Sequence, residues 1–298
     1  MTSPRNKTNI NSIAKSLLTT DGAVGIYGLT SDFEQVIEGL AAFIGSEREP
    51  ETEVLRFPPV VSLARLQTSG YLQSFPHLLG CVSCLSGEES EIRSMVERPN
   101  WVASLSPTEL ALSPAACYPI YPLAASRGKI PGKGLKFDVA SYCFRREATH
   151  EIDRLPAFRM REFVCLGTPE QVLDFRNRWV SRATRMAEQL GLTFHTETAS
   201  DPFFGREGRL AKLMQLEQSL KIELLVPLRS KRKPTACMSF NYHRDHFGRV
   251  WDLHTGKRET AHTACVAFGM ERLVLALFAT HGRELKKWPR PVRKTLSV

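Results

Sequence analysis

Two segments that each bring an arginine to the end of a strand pattern constrain the fold of this chain most strongly. Residues 137–144 are rich in strand-forming side chains and end in Phe-Arg-Arg-Glu at 144–147. Residues 266–278 read as a short apolar strand, a Gly-x-x-Arg step and then an apolar helix. Apolar runs of these lengths indicate buried strands and a buried helix. Together the two segments predict a sheet with helices packed against it.

The other patterns along the chain agree with a mixed α+β fold. A helix is predicted over residues 33–44, with Ser31 or Asp32 as its N-cap. A longer helix is predicted to start at Thr168 with a capping box and to stop at Gly191. Further strand patterns lie at residues 54–60, 78–85, 102–105, 221–227 and 236–241. We expect a helical appendage at 1–50, the main α+β domain at 51–280 and a basic tail at 281–298.

The charge of the chain favours an anionic partner without identifying it. The formal charge is +9 over 298 residues, which suits a nucleotide, a nucleic acid or an acidic protein. Part of the excess lies between Arg283 and Lys294. That stretch is either a frayed, solvated tail or a docking strip.

The sequence predicts a cytoplasmic protein that does not enter a membrane. We find no apolar stretch of about 18 residues, and the segment Met1–Ile10 lacks the apolar core of a signal peptide. Seven irregularly spaced cysteines do not resemble a secreted disulfide framework. Reduced thiols or metal ligands are therefore expected.

Residues 144–163 resemble the second signature of class II aminoacyl-tRNA synthetases, in which Phe-Arg-x-Glu is followed by Arg-x-x-x-Phe on the neighbouring antiparallel strand. The resemblance implies an antiparallel sheet flanked by helices and an ATP site. It implies that Arg145 bridges the amino-acid carboxylate and the α-phosphate, that Glu147 binds the adenine amino group and that Phe163 stacks on the purine. Arg154 and Leu155, between the two halves, join the predicted nucleotide-binding set.

The third signature of that family, Gly-x-x-Arg before an apolar helix, is similar to residues 269–272. It implies that Arg272 holds the γ-phosphate and is catalytic together with Arg145. Glu223 resembles the carboxylate that holds Mg²⁺ on ATP, and Ser239, with Asn241 less closely, resembles a binding strand of the seryl enzymes. The first signature resembles Gly70–Pro76 most, which implies a homodimer.

Cys117, Glu162 and Cys265 resemble the zinc ligands of atypical seryl-tRNA synthetases. Three protein ligands leave one coordination position open, and the resemblance implies that the substrate amine takes it, so Glu162 is also a predicted substrate-binding residue. The alternative is that both cysteines are buried small apolar side chains and Glu162 is an ion-pair partner. Glu109 is a rival amine binder.

Two other pairs of possible metal ligands are interpreted as structural residues and not as a metal site. Cys81 and Cys84 read as strand cysteines, because no second Cys-x-x-Cys pair completes a zinc site. His243 and His246 flank Arg244 and Asp245, and this polar run favours a surface loop.

The segments outside residues 51–280 are short for a tRNA-binding domain, so tRNA is an unexpected acceptor. The chain is more similar to the amino acid:carrier-protein ligases, truncated relatives of atypical seryl-tRNA synthetases. That resemblance implies activation of a small amino acid, glycine or alanine, by ATP with Mg²⁺ and zinc. The acceptor is then the phosphopantetheine thiol of an acidic carrier protein. A minimal seryl-type synthetase and a non-catalytic regulatory paralogue are the alternatives.

Overall fold

A computed structural model describes residues 10–20, 22–147, 151–230, 232–256 and 259–298. Its strands are β1 Leu18–Thr20, β2 Tyr27–Leu29, β3 Glu53–Arg56, β4 Val60–Ser62, β5 Cys81–Cys84, β6 Ser106–Leu112, β7 Leu135–Phe144, β8 Ala157–Gly167, β9 His195–Thr198, β10 Lys221–Val226, β11 Thr235–Arg244 and β12 His262–Gly269. Its α-helices are α1 Ile10–Leu17, α2 Ser31–Ser46, α3 Leu63–Thr68, α4 Tyr71–Ser74, α5 Glu89–Val96, α6 Ile120–Ser126, α7 Pro169–Gln189, α8 Gly205–Glu217, α9 His246–Val250, α10 Met270–His281 and α11 Arg290–Leu296. Short 3-10 helices cover Pro76–Leu78, Trp101–Ser104 and Leu285–Lys287.

A seven-stranded sheet forms the centre of the fold. Its strand order is β3-β7-β8-β12-β11-β10-β9, and only the β3–β7 pair is parallel. A smaller antiparallel sheet has the order β4-β6-β5, and β1 pairs with β2. The expected α+β fold, with an antiparallel sheet flanked by helices, is therefore confirmed.

The two faces of the large sheet have different neighbours. One face belongs to the main core, where Phe33 of α2, Trp179 of α7 and Phe278 of α10 are fully buried. The other face packs a smaller core that includes Ile120 and Tyr121 of α6. Beside that smaller core the second face is open to a cavity, so the strand ends that carry the sequence signatures lie around a space.

The described parts of both terminal segments, from Ile10 onward at the N-terminal side, pack into the main core instead of standing apart from it. Helices α1 and α2 bury apolar side chains there, and so does α11 through Val292 and Leu296. Trp288 is 2% exposed, so the basic segment 281–298 is folded and is not a frayed tail. The expected divisions at residues 50 and 280 do not separate independently packed units among the described residues.

Local signals predicted some elements better than others. Thr168 caps α7 through the expected capping box with Gln171. The strand expected at 102–105 is wrong, because Leu105 N donates to Val102 O in a 3-10 turn and the strand begins only at Ser106. Among the described residues, no helix is both long and apolar enough to cross a bilayer.

Candidate functional site

A cavity of about 600 Å³ lies on the open face of the large sheet. Strands β8, β10, β11 and β12 all contribute side chains to its wall. The segment around α4 and the inner side of α8 complete the enclosure. The chain segments that carry the predicted signatures therefore converge on one space.

Alternation along β8 decides which predicted residues reach the cavity. Phe158, Met160 and Glu162 line it. Phe163 points the opposite way, is 1% exposed, and stacks on Trp179 with ring centroids 4.2 Å apart. The predicted stacking of Phe163 on a purine is therefore wrong. Successive side chains of a strand face opposite sides, and the phenylalanine five residues earlier takes the open side.

Phe158 is the aromatic residue that the sequence analysis missed. The Cζ of Arg145 lies 5.6 Å from the centroid of its ring, and Arg145 Nε donates to Pro114 O at 3.0 Å. A guanidinium fixed over an aromatic face in this way is a ready partner for an anion beside a flat ring. The signal was present, because Arg154 and Phe158 also have the Arg-x-x-x-Phe spacing.

The other predicted nucleotide-binding residues lie in or beside the same cavity. Glu147 and Leu155 line it, whereas Arg154 does not and instead pairs with Glu147 at 3.5 Å. Arg272 lines it too, and its Nε and Nη1 donate to Asp153 O and Ala236 O at 2.8 and 3.0 Å. These two carbonyls fix the guanidinium of Arg272 in place.

Two polar residues on neighbouring strands face the cavity as expected. Glu223 on β10 lies opposite Ser239 on β11, and both line the cavity. Glu223 Oε1 is 2.9 Å from Lys221 Nζ, which is also 2.6 Å from Asp201 Oδ1. Neither Lys221 nor Asp201 belongs to the binding residues predicted from the sequence. An ammonium group thus already occupies one side of the Glu223 carboxylate.

Cys117, Glu162 and Cys265 form a compact buried cluster on the wall of the cavity. One ligand atom from each lies within 4.8 Å of the others. Their exposed fractions are 5%, 2% and 3%. Glu162 Oε2 also accepts a hydrogen bond from Cys117 N at 2.7 Å, which holds the loop before α6 against β8. The predicted trio is therefore brought together by three distant parts of the chain.

The electrostatics of the trio favour a bound cation. Burial raises the pKa of Glu162. A hydrogen bond to Cys265 and burial raise the pKa of Cys117 well above that of an ordinary thiol. The same bond lowers the pKa of Cys265, but burial and the nearby Glu162 raise it overall. Three buried acids disfavour their charged forms until a cation compensates them, and two sulfurs with one oxygen suit zinc.

His243 corrects another sequence expectation. It lies on β11 and lines the cavity, with Nε2 3.6 Å from Cys265 Sγ, so it is not part of a surface loop. Burial lowers the pKa of His243 to about 3. Strand β11 continues through His243 to Arg244, which pairs with Thr263 of β12, and Asp245 is the N-cap of α9. His246 begins α9 and also lines the cavity.

Three further expectations can be compared with the structure. Glu109 is exposed on β6 and does not line the cavity, so it is not a rival amine binder. Cys81 and Cys84 lie on strand β5, as expected. Gly70–Pro76, whose resemblance implies a homodimer, supplies Gly70, Tyr71, Ser74 and Phe75 to the cavity wall.

Comparisons with known proteins agree on one relationship. The family described as tRNA synthetase class II core domain (G, H, P, S and T) matches residues 101–281. Amino acid–acyl-carrier-protein ligases 1 and 2 of Bradyrhizobium diazoefficiens are each 55% identical to this chain. The matches cover 100% and 97% of this chain, and 92% and 88% of the two ligases. A type-2 serine–tRNA ligase of Methanopyrus kandleri is 30% identical over 61% of this chain and 36% of its own length.

Solved structures show the same fold. The seryl-tRNA synthetase of M. kandleri, crystallised with a tRNASec of A. aeolicus, matches 99% of this chain with a TM-score of 0.85 and 22% identity. The Pyrococcus horikoshii seryl-tRNA synthetase complexed with ATP matches with a TM-score of 0.72 and 15% identity. This chain spans 62% and 64% of those two chains.

Proposed function

This chain belongs to the class II tRNA synthetase core family and, within it, to the amino acid–acyl-carrier-protein ligases, and from that premise we propose how its cavity works. It activates an amino acid with ATP and passes the aminoacyl group to a carrier protein. The observation that carries the proposal is the convergence of Arg145, Arg272 and the Cys117–Glu162–Cys265 trio on one cavity. One end of that cavity suits a triphosphate and the other suits a free amino acid.

In the first step a carboxylate oxygen of the amino acid attacks the α-phosphorus of ATP, and pyrophosphate leaves. The carboxylate is already a nucleophile, so no general base is needed. Arg145 neutralises the two anions as they approach, and Arg272 takes the charge of the leaving pyrophosphate. Glu223 would hold the Mg²⁺ ion of the nucleotide, which would supply further positive charge there. Phe158 offers a flat face for the adenine, and Glu147 lies on the same wall.

The Cys117–Glu162–Cys265 trio is the proposed binding site for the substrate amino group. A bound zinc ion would supply a Lewis acid to which the uncharged amine can bind. The bulky side chains of Tyr118, His243 and Phe247 line the same part of the cavity and favour a small substrate such as glycine or alanine. Recognition then needs both ends of the substrate, the amine at the trio and the carboxylate at Arg145.

Helix α8 is the proposed docking surface for the carrier protein that accepts the aminoacyl group. Leu210 and Leu213 are 62% and 57% exposed on its outer side. Ala211, on its inner side, lines the cavity, and the exposed basic residues Arg206 and Arg209 lie on the same helix. An apolar strip bordered by positive charge suits an acidic carrier protein. In the second step the phosphopantetheine sulfur attacks the activated carbonyl, AMP leaves, and the thiol proton goes to solvent.

Amino-acid-dependent exchange of labelled pyrophosphate into ATP, followed by transfer of labelled amino acid, tests the proposal. We expect exchange with glycine or alanine and transfer to a phosphopantetheinylated carrier protein. The same carrier without its prosthetic group is the matched control and should stay unlabelled. Transfer to tRNA alone would point to a minimal synthetase, and no exchange with any amino acid would point to a non-catalytic paralogue.

The proposed organisation of the protein includes a homodimer in the cytoplasm. The dimer rests on resemblance to the class II synthetases alone, since Gly70–Pro76 lies at the cavity. Light scattering of the purified chain at several concentrations measures its mass. A single monomer mass at all concentrations would remove the dimer from the proposal without touching the chemistry.

A further inference from the structure

A second row of polar side chains lies behind the metal-binding trio, on strands β11 and β12. Asn241 Nδ2 donates to Cys265 Sγ at 3.3 Å. His243 Nε2 lies 3.6 Å from the same sulfur. On the other side of the imidazole ring, His243 Nδ1 lies 3.0 Å from Thr263 Oγ1. One of the three proposed metal ligands therefore has two nitrogen neighbours of its own.

The strand geometry builds this row. Asn241 and His243 both line the cavity from β11, whose register with β12 shifts between Tyr242 and Arg244. Thr263 and Cys265 are two residues apart on β12, so they share one face, and Asn241 is the cross-strand partner of Cys265. His243 is also held edge-on against Phe247, with ring centroids 5.0 Å apart. The imidazole therefore has little freedom to turn away from the sulfur.

The hydrogen-bond partners of the two ring nitrogens determine which tautomer of His243 can donate a hydrogen bond to the Cys265 thiolate. A neutral imidazole has one donor nitrogen and one acceptor nitrogen. If the Thr263 hydroxyl donates to Nδ1, the proton lies on Nε2 and points at Cys265 Sγ. Thr263 is completely buried, so water does not compete for that hydroxyl. In that tautomer His243 is a hydrogen-bond donor to Cys265.

We propose that His243, oriented by Thr263, and Asn241 are positioning residues for the metal ligand Cys265. Their two N–H groups hold the sulfur at the site and offset the negative charge that remains when two thiolates and a carboxylate surround a divalent ion. A buried charge that lacks such hydrogen bonds is costly, and neighbours of this kind raise metal affinity. The inference rests on the proposed zinc site and deepens it.

Zinc affinity tests the inference without any assay of activity. Zinc is titrated against a chromogenic chelator in the full chain and in the variants His243→Phe and Thr263→Val. His243→Phe keeps a ring but removes the donor, and we expect zinc to bind roughly 10- to 100-fold more weakly. Thr263→Val keeps the shape but releases the tautomer, and a smaller loss is expected. His195→Gln, at an exposed position on β9, is the control and should bind like the unchanged chain.

Cobalt substitution separates positioning from direct ligation. A positioning role predicts that the thiolate-to-cobalt band in the near ultraviolet shifts in His243→Phe while the visible bands keep their intensity. Unchanged zinc affinity in both variants would overturn the inference. So would a change in the visible cobalt bands that shows the loss of a ligand, because His243 would then bind the metal itself. If the unchanged chain binds no zinc, the proposed zinc site fails instead.

Discussion

Asp138 on β7 shows how a single buried charge is compensated in this fold. It is completely buried and accepts hydrogen bonds from Arg48 Nε and Arg161 Nε, both at 2.9 Å, and from Arg56 Nη1 at 3.3 Å. Burial alone would raise the pKa of Asp138, but Arg161 and the other guanidinium groups lower it below its ordinary value. The carboxylate is therefore more stable in the folded chain than in the unfolded one.

Asp138→Asn should lower the free energy of unfolding by about 3–5 kcal/mol at neutral pH, because it leaves the buried Arg161 without its charged partner. A lowered pKa stabilises the fold above the unfolded value, and the contribution is lost as the pH falls from about 4 towards the folded pKa. Urea unfolding at a series of pH values checks this, since the gap between variant and unchanged chain should narrow in acid. Asp174→Asn, in an ion pair whose carboxylate is 65% exposed, should change stability little. A gap that stays constant down to pH 3 would contradict the assignment.

Two substitutions should separate the two ends of the cavity. Arg272→Ala removes the proposed phosphate grip, so the KM for ATP should rise roughly tenfold or more while zinc stays bound. Cys265→Ser removes a proposed zinc ligand, so zinc should be lost together with amino-acid-dependent exchange. Elemental analysis beside exchange kinetics distinguishes them. Loss of zinc from Arg272→Ala, or normal exchange by Cys265→Ser, would show that the site is misplaced.

At the scale of elements, the loop between β7 and β8 is fastened by Asp153. Its side chain is 5% exposed and accepts hydrogen bonds from Thr235 Oγ1 at 2.6 Å and from Arg229. The backbone oxygen of Asp153 accepts from Arg272 Nε. The loop therefore helps to aim a residue that belongs to another part of the chain.

Asp153→Asn should weaken this fastening and raise the KM for ATP roughly tenfold, or about 1.4 kcal/mol, with the KM for the amino acid unchanged. Lys233→Gln is the matched control, because it touches the same loop through Glu151 but its side chain is 68% exposed. Such exposed pairs contribute little. Exchange kinetics measure the KM for ATP and the KM for the amino acid. An equal rise in both would indicate general disorder of the site instead of a misplaced Arg272.

Helix α8 should matter for transfer but not for activation. Leu213 lies on its outer side, is 57% exposed and does not line the cavity. Leu213→Glu adds negative charge to an apolar strip and should slow transfer to the carrier roughly tenfold while pyrophosphate exchange is unchanged. Val96→Glu on α5, where the side chain is 55% exposed, is the control. Equal transfer by both variants would remove α8 from the proposed docking surface.

Local chemistry explains which elements the sequence could predict. The capping box at Thr168 concerns neighbours in the chain, and the predicted helix formed there. Phe163 was misassigned because Arg154 and Arg159 both begin an Arg-x-x-x-Phe spacing, and only the strand register decides which phenylalanine faces the cavity. His243 was missed because its polar neighbours resemble a loop, whereas its partners lie across the sheet on β12.

The proposed metal ligands could be predicted from the sequence, whereas the polar side chains beside Cys265 depend on contacts between strands. Cys117, Glu162 and Cys265 could be predicted through resemblance, although the spacing between them carries little information by itself. Asn241 gains its role from register, which places it opposite Cys265, and Thr263 gains its role from the contact between its hydroxyl and His243 Nδ1. Sequence therefore identified the residues with unusual chemistry and left open the ordinary polar residues that orient them.

At the scale of the whole molecule, helix α2 in the N-terminal part of the chain packs against helix α11 near the C-terminus. An ideal Cβ on Gly39 of α2 would lie 1.9 Å from Leu296 O in α11. Glycine is therefore needed where these helices touch. The contact explains why the basic C-terminal segment is folded, since it covers the apolar side of α2.

Gly39→Ala should destabilise the protein by about 1–3 kcal/mol, because α11 must move to make room. The sign is informative, since glycine to alanine inside a helix ordinarily stabilises by about 1 kcal/mol. Gly132→Ala, where an added Cβ meets nothing within 4 Å, is the control and should be neutral or slightly stabilising. Thermal unfolding of both variants measures this, and a Gly39→Ala protein as stable as the control would mean that α11 does not pack on α2 in solution.

The members of the trio are far apart along the chain, and this separation links metal binding to the stability of the fold. Cys117 and Glu162 are 45 residues apart, and Cys265 lies much further on. A metal ion bound by all three would tie these segments together like a reversible cross-link and remove many conformations from the unfolded chain. Folding and metal supply would then be linked by mass action. A cell short of zinc would lose the protein itself to proteolysis, as well as its activity.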